Sequence, residues 1–187
     1  IMRKYFLTVL VFFGLITSCN ENSDTIDTGP TYDRASLLQN WFTNHINPSF
    51  NNFSSELNQL NSEISNIKNN GMNEADLEKL RTLFHQTYKS WQYVEMFNIG
   101  KAEEIYYSST MNIYPVNTAR VESNINSGNY DLNNANNYAA QGLPTMGYLL
   151  YGTGSSDSEI IEKLNKTNYI DYLFSITNQM TTNTSTV

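Results

Sequence analysis

The chain is predicted to fold as an all-α protein, an antiparallel helical bundle. Apolar residues recur at spacings of three and four over long stretches, as on one face of a helix. Val and Ile form no alternating runs, so no segment reads as a strand. Glycine or asparagine closes each periodic stretch. These features predict one domain of about three long helices with short helical inserts, without internal repeats.

The first helix is expected over residues 32–69. Phe50, Phe53, Leu57, Leu60, Ile64 and Ile67 share one face, and Leu38, Trp41, Phe42 and His45 extend that stripe upstream. Pro48 lacks an N–H and predicts a kink or break near Asn47. Gly71 suits a C-terminal cap. The second helix starts at the N-cap Asn73, with Asp76 three residues on. Its expected inward stripe is Leu77, Leu80, Phe84, Tyr88, Trp91, Val94 and Phe97, and residues 98–100 close it. A short link predicts that the two helices run antiparallel.

Residues 101–115 are mixed and aromatic, and Pro115 disfavours helix at Tyr114. A short helix follows from the cap Asn117 through Val121 and Ile125, broken at Gly128. Another is expected over residues 131–141, and residues 143–151 form an apolar segment. After the loop at 152–156, a last helix is predicted over 157–180, with Ile161, Leu164, Tyr169, Leu173 and Ile176 inward. The chain stops in the Thr-rich stretch 181–187, immediately after this amphipathic segment, which has no partner left to pack on. With Ile1 preceding the start-like Met2, this suggests a chain truncated at its C-terminus.

The N-terminus reads as an export signal. Arg3 and Lys4 precede the apolar stretch 6–16, which is too short to span a bilayer comfortably. Ile16, Thr17, Ser18 and Cys19 resemble a bacterial lipobox, in which the cysteine is lipidated. A plain signal or an uncleaved anchor fits less well, because small residues precede Cys19 and a polar stretch follows it. Residues 1–18 are therefore expected to be a lipoprotein signal peptide. Residues 19–31, broken by Gly29 and Pro30, would be a lipid-anchored flexible tether, and 32–187 the helical domain. Acylated Cys19 would hold the protein on a membrane of the bacterial envelope, the outer membrane, on its periplasmic or surface side.

Charge and cysteine usage exclude several classes. Loss of residues 1–18 removes two basic side chains and takes the net charge from −7 to −9. That balance opposes nucleic-acid binding and electrostatic docking on anionic lipid. Cys19 is the sole cysteine, so stability rests on packing rather than on disulfides.

Few residues suggest chemistry. His45 and His85 lack a carboxylate or second histidine at i+3 or i+4, the spacing of a helical metal site. Glu103 and Glu104 read as a solvated pair. Tyr106, Tyr107, Tyr114 and Tyr148 fall outside the cleanest stripes and are candidates to line a cleft. Arg120 and Glu122, near Pro115, join Tyr114 as candidate cleft residues. No zinc-protease run, phosphate loop or Ser-His-Asp signature occurs.

Residues 141–152, QGLPTMGYLLYG, resemble the signature segment of the imelysin family, the insulin-cleaving membrane protease and its bacterial relatives. That family carries Gly-x-His-x-x-Glu running into an aromatic, leucine-rich helix, and many lipoprotein members have a Gly-Leu-Pro variant. Residues 91–100 are similar to its Trp-containing helix ending in a glycine turn, and 113–122 to its Pro segment and following short helix. The resemblance spans about residues 33–180 and implies the N-terminal part of an all-helical domain whose site lies between two bundle-like halves.

Gly142 and Tyr148 match the family motif, but its histidine position is Pro144 and its glutamate position Gly147. Neither side chain can ligate a metal or move a proton. No catalytic or metal-binding residue is therefore assigned. No cofactor is predicted, with iron or zinc as the metals to test; the reading is a non-catalytic binding or accessory role, linked by the resemblance to iron or haem acquisition, with iron, haem or a protein as partner. The alternative is a metal-dependent peptidase of the imelysin type.

Overall fold

The computed structural model describes residues 33–187. Cys19, the signal segment and most of the tether lie outside the described residues. The chain divides into two units, Ile1–Leu37 and Leu38–Val187. The described part of the first is a single helical start, where Ser36 N–H donates to Asp33 Oδ1 at 3.0 Å. The helix α1, Arg34–Trp41, begins there.

A π-helical turn, Phe42–Ile46, joins α1 to α2, Asn47–Asn70. The Asn47 N–H reaches back to the Phe42 carbonyl. The proline therefore produces a widened turn rather than an open break. Pro48 sits in the first turn of α2, where it donates no N–H, and the wide turn eases its ring past the carbonyl four residues back.

Phe53, Leu57, Leu60, Ile64 and Ile67 are buried along α2. The predicted upstream extension of that stripe fails. Leu38 is 65 % exposed, Trp41 54 % and Phe42 53 %, and His45 is exposed as well. The 3–4 spacing correctly places these residues on one helix face, but that face is left open.

Residues 71–73 fold α3, Glu74–Trp91, back along α2. A reciprocal capping box starts α3: Asp76 N–H donates to Asn73 Oδ1 at 3.1 Å, and Asn73 N–H donates to Asp76 Oδ2 at 2.9 Å. The helix ends at Trp91, six residues before the expected Phe97, and hydrogen-bonded turns carry the chain on. Tyr88 is partly exposed, and Thr87 and Ser90 take the buried positions beside Trp91. The core-facing stripe uses small polar residues here, which a search for apolar periodicity passes over.

Two short helices follow, α4 (Lys101–Glu104) and α5 (Tyr107–Met111). Tyr107, expected as a cleft residue, belongs to the core. It is 2 % exposed, and its ring meets Trp91 edge-on at 5.5 Å. Helix α6, Thr118–Ser127, is capped by Asn117 and ends at Gly128 with φ +63°. The helix expected over 131–141 is instead a turn and a 3-10 segment, Ala135–Ala140. Helix α7, Gly142–Gly147, runs into a second π turn, Tyr148–Gly152.

The last predicted helix is two, α8 (Asp157–Leu164) and α9 (Thr167–Thr186). Asn165 in the break accepts from Met72 N–H at 2.8 Å and donates to the Met72 carbonyl at 2.9 Å. The break thereby ties the α8–α9 corner to the α2–α3 turn.

Helix α9 packs mainly on α2, so α2, α3 and α9 are the long helices of the bundle. The stretch expected to lack a packing partner has one. Met180 and Thr184 are buried, the Thr184 hydroxyl bonds the Tyr107 hydroxyl at 2.8 Å, and Asn183 donates to Thr110 at 3.0 Å. No strand occurs among the described residues.

Candidate functional site

The segment 141–152 begins with a close backbone approach. Gln141 is extended, and Gly142 turns to φ +76° to start α7. A Cβ on Gly142 would lie 2.4 Å from the Met111 carbonyl oxygen and 2.8 Å from that of Thr110. Only glycine allows this crossing of α7 over α5. Pro144 lies in the first turn of α7, where its N–H would have no helical partner, so the ring causes no break. At Gly147, a Cβ would meet Phe84 Cζ at 3.6 Å, an ordinary contact. The backbone there would accept a Cβ.

The π turn then aims three groups. Tyr148 folds over Gly152, where a Cβ would stand 2.9 Å from the Tyr148 ring. Its hydroxyl donates to Glu122 Oε1 at 2.7 Å. The Leu150 carbonyl accepts from Arg81 Nε at 3.2 Å and Nη2 at 3.0 Å. The Tyr151 ring lies under the Arg81 guanidinium at 4.6 Å, and its hydroxyl bonds His85 Nε2 at 3.0 Å. Arg81 also grips Asp157 with two bonds of 3.0 and 2.8 Å, which joins α3 to the start of α8. This pairing holds the Asp157 carboxyl below its usual range.

Glu122 is the centre of a polar cluster that meets the motif segment through Tyr148. It is half-buried, one residue past the buried Val121 on α6. Its second oxygen, Oε2, accepts from the Tyr169 hydroxyl of α9 at 2.6 Å. One carboxylate thus ties α6, the π turn and α9 together. Burial, and then the Glu122 carboxylate, push both phenols up; Tyr169 reaches about 12. Both remain protonated donors at neutral pH, and each occupies one carboxylate oxygen.

A second network lies beneath. Asn124 donates to Asn137 Oδ1 at 3.0 Å and to the Tyr172 hydroxyl at 3.1 Å, and Tyr172 donates to the Ala140 carbonyl at 2.5 Å. It locks α6 and the 3-10 segment onto α9.

The other sequence candidates stand apart. Tyr114 is 86 % exposed, and Arg120 and Tyr106 are exposed too. No hydrogen bond or ion pair among the described residues joins Tyr114 or Arg120 to Glu122. Of the proposed cleft residues, only Glu122 meets the motif segment, through Tyr148. Sequence reading missed Tyr169, because it fits the core stripe of its helix equally well. It also missed Arg81, which carries no motif.

The donor set does not suit a metal. No three His, Cys, Asp or Glu side chains converge as a ligand group among the described residues. Each Glu122 oxygen already accepts a phenolic hydrogen bond, and His85 Nε2 is engaged by Tyr151.

These features define an all-helical bundle domain organised around a glycine-initiated helix that ends in a π turn. Residues 46–187 match the imelysin family model, and the chain belongs to that family. No curated protein and no solved structure matches.

Proposed function

We propose that this chain is an imelysin-like lipoprotein that recognises a ligand or partner and does not hydrolyse peptide bonds. One observation supports the reading above others. The two motif positions that would carry a ligand and a base hold Pro144 and Gly147, and the carboxylate bonded to the motif's Tyr148, Glu122, accepts a tyrosine hydroxyl on each oxygen. Peptide hydrolysis needs an activated nucleophile and a general base. Glu122 is engaged in tying three elements together, and no metal-directed step is assigned to it.

The reading places the protein on the bacterial outer membrane through acylated Cys19, with iron or haem acquisition as its setting. The anchor rests on the lipobox-like segment, and the iron link on family resemblance.

The test uses the acylated full chain in detergent. It is incubated with unfolded insulin B chain, with and without Zn²⁺ or Fe²⁺, and products are read by mass spectrometry. In parallel, bound iron and haem are measured after dialysis. Intact insulin chain is expected throughout, with saturable haem or iron uptake. Metal-dependent cleavage that disappears in Glu122→Gln would sink the non-catalytic reading. Absence of saturable uptake would remove the iron or haem assignment.

A further inference from the structure

One end of the bundle is apolar, open and almost free of charge. Leu38, Trp41 and Phe42 share a face, being three and four residues apart, and each is more than half exposed. The turns after α3 add Tyr93 at 67 %, Met96 at 69 % and Ile99 at 70 % exposure. Both sets lie at the same end: Tyr93 lines a depression with His45 and Pro48, and the Phe97 ring lies 6.5 Å from that of Phe50. From residue 35 to residue 55 the chain has no Asp, Glu, Lys or Arg, within a protein of net charge −7. Glu95 is the one charged side chain between residues 90 and 100.

We propose that this end docks on the lipid surface that holds Cys19, with Leu38, Trp41, Phe42, Tyr93, Met96 and Ile99 entering the headgroup region. The proposal rests on the anchored reading above. Two arguments select lipid over other occupants. The first is chain length: Arg34, where α1 starts, follows Cys19 by only 15 positions, and a flexible tether of that length would keep its ends on the order of 20 Å apart. The second is charge: an acidic protein is repelled by anionic lipid, and the neutral segment 35–55 is where that repulsion is weakest. A helix with Trp, Phe and Leu on one face suits the interface plane through apolar burial rather than electrostatic attraction. Docking of this kind would fix the orientation of the bundle on the membrane.

The two tryptophans make the test specific. Trp41 is exposed at the proposed face, and Trp91 is 1 % exposed in the core. The acylated full chain is reconstituted into phosphatidylethanolamine–phosphatidylcholine vesicles, with or without brominated lipid. Acylation is read separately, by incorporation of labelled palmitate at Cys19. The expected result is strong bromolipid quenching that is insensitive to salt and vanishes in Trp41→Phe. The double variant Leu38→Glu, Phe42→Glu should shift the docked state about 100-fold toward undocked, while its circular dichroism stays helical.

A palmitate-labelled, vesicle-bound chain with unquenched Trp41 would overturn docking and leave the anchor standing. A chain without label overturns the anchor, and docking falls with it. A blue shift of Trp41 that depends on protein concentration, without bromolipid quenching, would show a second copy on this face and likewise overturn the proposal.

Discussion

Tyr169 donates its hydroxyl to Glu122 at 2.6 Å, across 47 positions of sequence. The bond places a half-buried carboxylate of a short helix against the long C-terminal helix, while Tyr148 of the motif segment occupies its other oxygen. Charge-assisted bonds of this length are strong, and here they join three elements at one point. The family segment thereby serves packing: its tyrosine holds a carboxylate in place, and its histidine and glutamate positions hold no polar side chain.

Glu122→Gln tests that relationship directly. The variant removes the negative charge that raises both phenols, and leaves burial, the larger cause, in place. Tyr169 should then titrate below its value of about 12, still above the ordinary 10. Stability should fall by about 2 kcal/mol, because two charge-assisted bonds weaken. Ultraviolet difference titration of variant against parent reads the shift, and urea unfolding reads the stability. Coincident titration curves would show that Glu122 does not govern these tyrosines.

The same tyrosines set an alkaline limit. Tyr169 and Tyr172 are both raised to about 12, chiefly by burial. In the unfolded chain each titrates near 10. A raised folded value means that the native state keeps the proton longer. Stability from these groups is therefore complete below about pH 10 and is lost as pH rises from about 10 to 12. The thermal midpoint should be nearly flat from neutral pH to about 9.5 and then drop steeply with the tyrosinate signal. A midpoint that declines steadily from pH 8 would assign the alkaline limit to other groups.

Gly142→Ala should be among the most damaging single substitutions in the domain. The residue has φ +76°, and its Cβ would meet backbone atoms of Thr110 and Met111 rather than a flexible side chain. The left-handed conformation costs about 1–2 kcal/mol, and the steric clash a further 1–3. A loss of about 3 kcal/mol or more is expected by urea unfolding. Gly147→Ala is the matched control, since its Cβ would meet only Phe84 at an ordinary distance. Equal losses in the two would remove the backbone-crossing explanation.

What could be read from sequence was local. The Asn73–Asp76 capping box, the Asn117 cap and the Gly128 stop lie within four residues of their partners, and all form. The long apolar stripes of α2 and α3 were legible wherever a second helix covers them. Failures came where tertiary contact decides. Leu38, Trp41 and Phe42 have the right spacing but an open face, whereas Thr87 and Ser90 are buried without being apolar. One helix was predicted where Asn165 instead bonds Met72, 93 positions away, and splits it in two. At the candidate site, Pro144 and Gly147 could be read as chemically silent from their side chains alone. The Glu122–Tyr169 pairing could not, because no local pattern distinguishes a core-stripe tyrosine from one that reaches a carboxylate on another helix.

Tyr172→Phe isolates the buried network beneath the site. The Tyr172 side chain is fully buried, donates to the Ala140 carbonyl and accepts from Asn124. Removing one oxygen leaves the ring and its edge-on contact with Tyr130 at 4.8 Å in place. The Ala140 carbonyl loses this donor, while Asn124 keeps its bond to Asn137. Leaving a buried acceptor unpaired costs about 1–3 kcal/mol, against near zero for an exposed hydroxyl. Tyr138, on the same 3-10 segment but with no hydroxyl hydrogen bond among the described residues, provides the comparison as Tyr138→Phe. Urea unfolding should show a loss of about 2 kcal/mol for Tyr172→Phe and little change for Tyr138→Phe. Amide exchange should quicken in the 3-10 segment and α6 before it does in α2, because this network helps tie them to α9 and does not reach α2. Uniform quickening across all helices would instead mean that the hydroxyl supports the bundle as a whole.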